Sequence, residues 1–214
     1  IAIGEAALDA ADGAEDYNIA IGQNSLGTLN NDGAQYNIAI GADSVAGGTA
    51  QLLGVVAIGQ VAGQSINSAD ANYTVAVGYA ALRNNTSGIG NVAVGYNALL
   101  SEDDGDRNTA VGYEALKDQT GVSGTVSNTA VGYKAGTNIT TGIRNVIIGA
   151  DAAVATTNID SAVVIGNFAG GGGNMTADAD GTVLIGRSAG SSITSGQGNI
   201  AIGHQALDAE DDGD

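Results

Sequence analysis

Short apolar triplets alternate along the chain with longer polar, glycine-rich stretches, and the triplets return at a nearly constant interval. Ile19-Ala20-Ile21 runs into Gly22, Thr109-Ala110-Val111 into Gly112, and Ile200-Ala201-Ile202 into Gly203. The glycines that close the triplets are Gly4, Gly22, Gly41, Gly59, Gly78, Gly95, Gly112, Gly132, Gly149, Gly166, Gly186 and Gly203, at intervals of 17 to 20 residues. That unit is too short for a helical-pair repeat and matches one coil of a β-solenoid. The pattern predicts an all-β fold, a parallel β-solenoid (β-roll) of about twelve rungs, with residues 1–214 as a single repeat domain.

Within each triplet the period of two separates two faces. The residue before the glycine is always isoleucine or valine, and the residue two earlier is isoleucine, valine or threonine. These are expected to face an apolar lumen. The middle residue is alanine in nine copies, giving way to Ile147, Val164 and Leu184 in three consecutive later ones. A strand apolar on both sides is expected to be buried on both. The second face, Ala20, Ala39, Ala57, Ala76, Ala93, Ala110, Ala130, Ile147, Val164, Leu184 and Ala201, is therefore assigned to self-association.

Other repeat positions read as structural. The third residue after the glycine is alanine ten times and serine at Ser25 and Ser44, as a tight corner requires. Asparagine precedes the strand at positions 18, 37, 91, 108, 128, 145 and 199, where its amide can bond neighbouring backbone. The remaining stretch, for example residues 137–142, is expected to form surface loops that absorb differences in repeat length.

Composition narrows the function. With 35 glycines, no proline or tryptophan and one phenylalanine, the chain has too few large side chains for a thick core. Six basic against 23 acidic residues leave a net charge of −17, which argues against nucleic acid or an anionic membrane surface as partner. No apolar run is long enough to span a bilayer. Beginning in mid-motif and closing on an acidic stretch, the chain reads as a fragment of a longer fibre protein.

These repeats resemble the head repeats of trimeric autotransporter adhesins, the YadA-like β-roll, whose motif is roughly Ser/Asn-Val-Ala-Ile-Gly-x-x-Ala. The form at residues 108–116, nearly repeated at 128–136, is similar to repeats of phage tail fibres. The resemblance covers the whole chain. It implies a left-handed coil, a homotrimer with inner strands on the three-fold axis, an extracellular place on a virion or bacterial surface, and attachment to a host glycan or protein receptor. Adhesin-head coils are shorter than the 17- to 20-residue intervals here, so longer outer legs are expected.

Little in the chain suggests chemistry. One histidine and no cysteine leave no triad or metal-ligand pattern, so neither enzyme activity nor a cofactor is expected, and His204 reads as a surface side chain. Acidic clusters at residues 9–16, 102–106 and 210–214 lack the spacing of known calcium loops, so no metal is expected. Tyr79, Tyr96, Tyr113 and Tyr133 follow four consecutive repeat glycines and could contact a receptor, although a structural ladder is the favoured reading. Tyr17, Tyr36 and Tyr73 share a second position. The alternatives to an adhesive fibre are an ice- or mineral-binding solenoid, which needs a regular threonine or carboxylate array, and a fibre-borne polysaccharide depolymerase, which needs paired carboxylates.

Overall fold

The structure, a computed structural model, describes residues 1–214 other than 11–15, 30–32, 48–50, 69–70, 121–122 and 210–214. Among the described residues it is an all-β parallel solenoid with essentially no helix beyond short 3-10 turns such as Ala177–Ala179. Each triplet is a strand: Ala2–Ile3, Ile19–Ile21, Ile38–Ile40, Val56–Ile58, Val75–Val77, Val92–Val94, Thr109–Val111, Thr129–Val131, Val146–Ile148, Val163–Ile165, Val183–Ile185 and Ile200–Ile202. These twelve pair in chain order in one sheet. Register sets like against like, with Thr109 beside Thr129, Ala110 beside Ala130 and Val111 beside Val131. Differences in repeat length stay in the turns, where Gly105–Asp106 pairs separately with Gly124–Thr125.

At the repeat glycine the chain turns with φ between +128° and +141°, backbone that side chains rarely adopt. A Cβ on Gly22 would also lie 2.6 Å from the carbonyl carbon of Gly41 on the next turn. Dihedral and stacking thus demand glycine independently. Beyond the corner the second and fourth residues are left-handed, as at Glu114 (φ 53°) and Leu116 (φ 47°). Such a conformation costs a leucine on the order of 1–2 kcal/mol. Stacking offsets it, because Glu114 N donates to Tyr96 O at 2.9 Å on one neighbouring turn and Leu116 N to Ala135 O at 3.0 Å on the other.

The two faces of the strand are the reverse of the expected ones. The middle residues, Ala20, Ala39, Ala57, Ala76, Ala93, Ala110, Ala130, Ile147, Val164, Leu184 and Ala201, are 0–3% exposed within the single chain and belong to its core. They line the lumen, so they do not form an oligomer face. Space explains the choice. The fourth residue after each glycine also enters this lumen, and where it is Leu82, Leu99 or Leu116 the strands offer alanine. Where it shrinks to Gly136, Ala153, Gly170 or Gly190, the strands supply Ile147, Val164 and Leu184. A Cβ on Gly136 would sit 2.9 Å from Ile147 Cδ1, and one on Gly190 2.9 Å from Leu184 Cδ1. In these turns bulk passes from one wall of the lumen to the other, whereas at Gly63, beside the alanines of its strands, it is Ile66 that fills the space, 2.8 Å from where a Cβ would stand.

The seventh residue after the glycine forms the third wall, at a place where the sequence suggested only surface loop. Leu29, Ile66, Ile139 and Ile193 are buried there, and so are the polar Asn85, Glu102, Gln119 and Thr156. The asparagine column has a defined task. Asn145 Nδ2 donates to Ile159 O at 2.6 Å while its Oδ1 accepts from Ala162 N at 2.9 Å, so one buried amide pins two backbone groups of the next turn. Asn37 holds Leu52 O and Val55 N in the same way. A column of this kind satisfies polar backbone that would otherwise be buried without partners.

Candidate functional site

Because alanine faces in, the larger residues of each triplet face out. Two parallel columns result, one before and one after the lumen alanine: Val75 and Val77, Val92 and Val94, Val146 and Ile148 are typical pairs, half-buried to exposed. Thr109 and Thr129, expected in the lumen, stand in the same outer column and are its polar members. With about 4.8 Å between strands the strip is roughly 50 Å long. Its β-branched side chains suit a pleated surface, but a contiguous apolar strip of this extent is uncommon on a monomer.

Past the glycine corner stand the tyrosines. The rings of Tyr79, Tyr96, Tyr113 and Tyr133 stack with centroids 5.0–5.4 Å apart and planes within 17° of parallel. Tyr17 and Tyr36 form a second stack at 5.2 Å. Both faces of Tyr96 and Tyr113 are covered by neighbouring rings, and the Lys134 ammonium lies 5.4 Å from the Tyr133 centroid. A sugar needs an open ring face to stack upon, which the inner rings do not offer. Edges and hydroxyls are what this ladder presents to solvent. Lys134 also approaches Glu114 to 3.9 Å. The Tyr113 hydroxyl is raised above its ordinary pKa by partial desolvation and then by the Glu114 carboxylate.

The one chemically unusual group is Glu102, which the sequence offered only as part of an acidic run. Its side chain is enclosed in the third wall, between the buried amides Asn85 and Gln119 of the adjoining turns. Oε1 accepts from Gly105 N at 2.8 Å and Asp103 N at 3.1 Å, and Oε2 from Asn108 Nδ2 at 3.2 Å. Burial raises its pKa to about 7, with Asp103 and Asp104 adding to the rise and the backbone donors opposing it. Among the described residues, Glu102, Asp103 and Asp104 alone approach metal-ligand spacing, with carboxylate oxygens within 4.8 Å of one another. Glu102 spends its oxygens on the loop itself, as a residue that shapes a turn does. The acidic stretch 210–214 and residues 11–15 of the first cluster lie outside the described residues. His204 is exposed and touches the Arg187 side chain of the preceding turn.

No protein family, curated protein or solved structure matches the chain. Geometry is the remaining guide to function. It sets the outer columns and the tyrosine ladder side by side on one exposed flank, and leaves Glu102 and His204 in separate turns without a shared cleft.

Proposed function

We propose that the chain is a structural and adhesive segment of a trimeric extracellular fibre, of the kind found in phage tail fibres or bacterial surface adhesins. The observation that supports this reading most is the pair of β-branched columns along the outer face. Three such strips meeting at an axis would bury the apolar face that a single chain leaves in water, using isoleucine and valine rather than the lumen alanines. Alternate residues of a strand are about 7 Å apart, so each strip is narrow enough for three to converge. The continuous backbone ladders would then act as a stiff spacer that fixes the distance from an anchor to a host glycan or protein receptor. The reading gives the segment no catalytic step, cofactor or bound metal. Light scattering on the purified chain is expected to report a mass of three chains. A folded monomer that persists at high protein concentration would overturn the assembly and the fibre role built on it.

A further inference from the structure

The tyrosine ladder has a property that rung stacking alone does not require. Its four phenols lie on consecutive turns, within 5.4 Å of one another ring to ring, and each remains 42–48% exposed. Parallel register holds each neighbouring pair of rings close and nearly parallel, so two phenoxyl rings need only small rotations to meet. The Glu114 carboxylate follows Tyr113 directly and helps to raise its hydroxyl's pKa, which places a proton acceptor near the centre of the row. Loss of an electron from a phenol near neutral pH requires its proton to leave as well, and a stacked ring shares the resulting radical with its neighbours.

We propose that Tyr79, Tyr96, Tyr113 and Tyr133 form an oxidative cross-linking site, at which a peroxidase-type one-electron oxidant joins neighbouring turns through dityrosine bonds. Each of two adjacent tyrosines gives up one electron and its hydroxyl proton. The two phenoxyl radicals couple through the ring carbons ortho to oxygen, forming one carbon–carbon bond, and the hydrogens on those carbons move to the oxygens as the rings regain aromaticity. One hydrogen peroxide takes up the two electrons and two protons and becomes two waters. The product staples one turn to the next, closing a loop of 17 residues between Tyr96 and Tyr113 and of 20 between Tyr113 and Tyr133. The inference does not depend on how copies of the chain assemble.

Tyr73 supplies the internal control. It is 66% exposed, more than any ladder tyrosine, yet stacks on no ring among the described residues. Accessibility alone would favour it over every ladder tyrosine, whereas geometry favours the ladder. The chain, mixed from isotope-labelled and unlabelled protein, is treated with a haem peroxidase and hydrogen peroxide, digested with trypsin and mapped by mass spectrometry. Cleavage after Arg83, Arg107, Lys117 and Lys134 puts Tyr96, Tyr113 and Tyr133 on separate peptides, and a second digestion with thermolysin, which cuts before valine, isoleucine, leucine and alanine, parts Tyr73 from Tyr79 and Tyr17 from Tyr36 within residues 1–83. The expected products are same-chain links from Tyr79 to Tyr96, Tyr96 to Tyr113 and Tyr113 to Tyr133, in a yield unchanged by dilution. Replacing both Tyr96→Phe and Tyr113→Phe keeps the stack but removes every adjacent phenol pair, so all ladder links should be lost while the Tyr17 to Tyr36 link persists. Links concentrated at Tyr73, links chiefly between labelled and unlabelled chains, or ladder links surviving in the double variant would each overturn the proposal.

Discussion

Ala110→Arg is expected to unfold the turns around it, while Val111→Arg, one residue further on, is expected to leave the solenoid folded and abolish its self-association. Ala110 is fully enclosed and Val111 is 36% exposed. At position 110 a guanidinium would enter a lumen already filled by Leu99 and Leu116, where the buried Glu102 carboxyl is already held by Gly105 N, Asp103 N and Asn108 Nδ2. Burying an unpaired charge and overfilling a packed core together cost several kcal/mol, at least about 4. In a solenoid each turn contacts only its neighbours, so the damage should spread from turns seven and eight as exposed lumen and aggregation. At position 111 the arginine points away from the chain and can extend into water, so a single chain loses little. Three chains with that residue on a shared axis would bring like charges together. Circular dichroism and light scattering on the two variants separate the outcomes. Equal loss of fold would mean that both faces are internal, and equal tolerance would remove the lumen argument altogether.

That pair of neighbours also shows where the sequence was legible and where it was not. The repeat glycines, the small corner residue and the asparagine column each answer to a local demand: a positive φ, a close approach, an unpaired amide. Local demands leave a mark at one position of one repeat. Which face of a strand is internal is a different matter, because a period of two defines two faces without saying which is enclosed. Isoleucine and valine are the residues expected inside, and the expectation fails because the lumen is set by three walls rather than one. The information was nonetheless present in the chain. Alanine at 76, 93 and 110 accompanies Leu82, Leu99 and Leu116, whereas Ile147, Val164 and Leu184 accompany Gly136, Ala153, Gly170 and Gly190. Positions that exchange volume in this way share a cavity, and at Gly63, where the strands keep alanine, the third wall supplies the bulk through Ile66. An oligomer axis would have had no reason to track the fourth residue of each turn.

The tyrosines were legible as a column, since they recur at one repeat position, but the closed ring faces follow only from the spacing of parallel strands. Glu102 was hidden for the opposite reason. It stands in an acidic run at the edge of a variable stretch, where solvent exposure is the ordinary expectation, and nothing local announces that the seventh residue of the turn faces inward. Comparison with Asn85 and Gln119 at the same repeat position, and with Leu29, Ile66 and Ile139, would have exposed the buried column.

The solenoid is expected to lose stability as pH rises from about 4.5 to about 7 through Glu102 alone, and Glu102→Gln should remove that loss. The folded carboxyl is pushed up to about 7 against an ordinary glutamate value of 4.5 in the unfolded chain, so between those limits the folded state holds a proton that the unfolded state has released. Stability from this group is complete below the lower value, declines through the interval and is flat above it, by roughly 3 kcal/mol in all, of which about 2–3 kcal/mol falls between pH 5 and pH 8. Other carboxylates impose their own acid limb, so the quantity to compare is the difference between variant and wild type. Glutamine is a fitting replacement because Gln119 occupies the equivalent place on the next turn, where its Oε1 accepts from Asn128 Nδ2 at 2.8 Å and its Nε2 donates to Thr140 O at 2.9 Å. Chemical denaturation at pH 5 and pH 8 should show the variant gaining on the wild type by that 2–3 kcal/mol as pH rises. A difference that stays constant between the two would mean that Glu102 titrates as an ordinary surface carboxylate, and its enclosure between two amides would then have no electrostatic consequence.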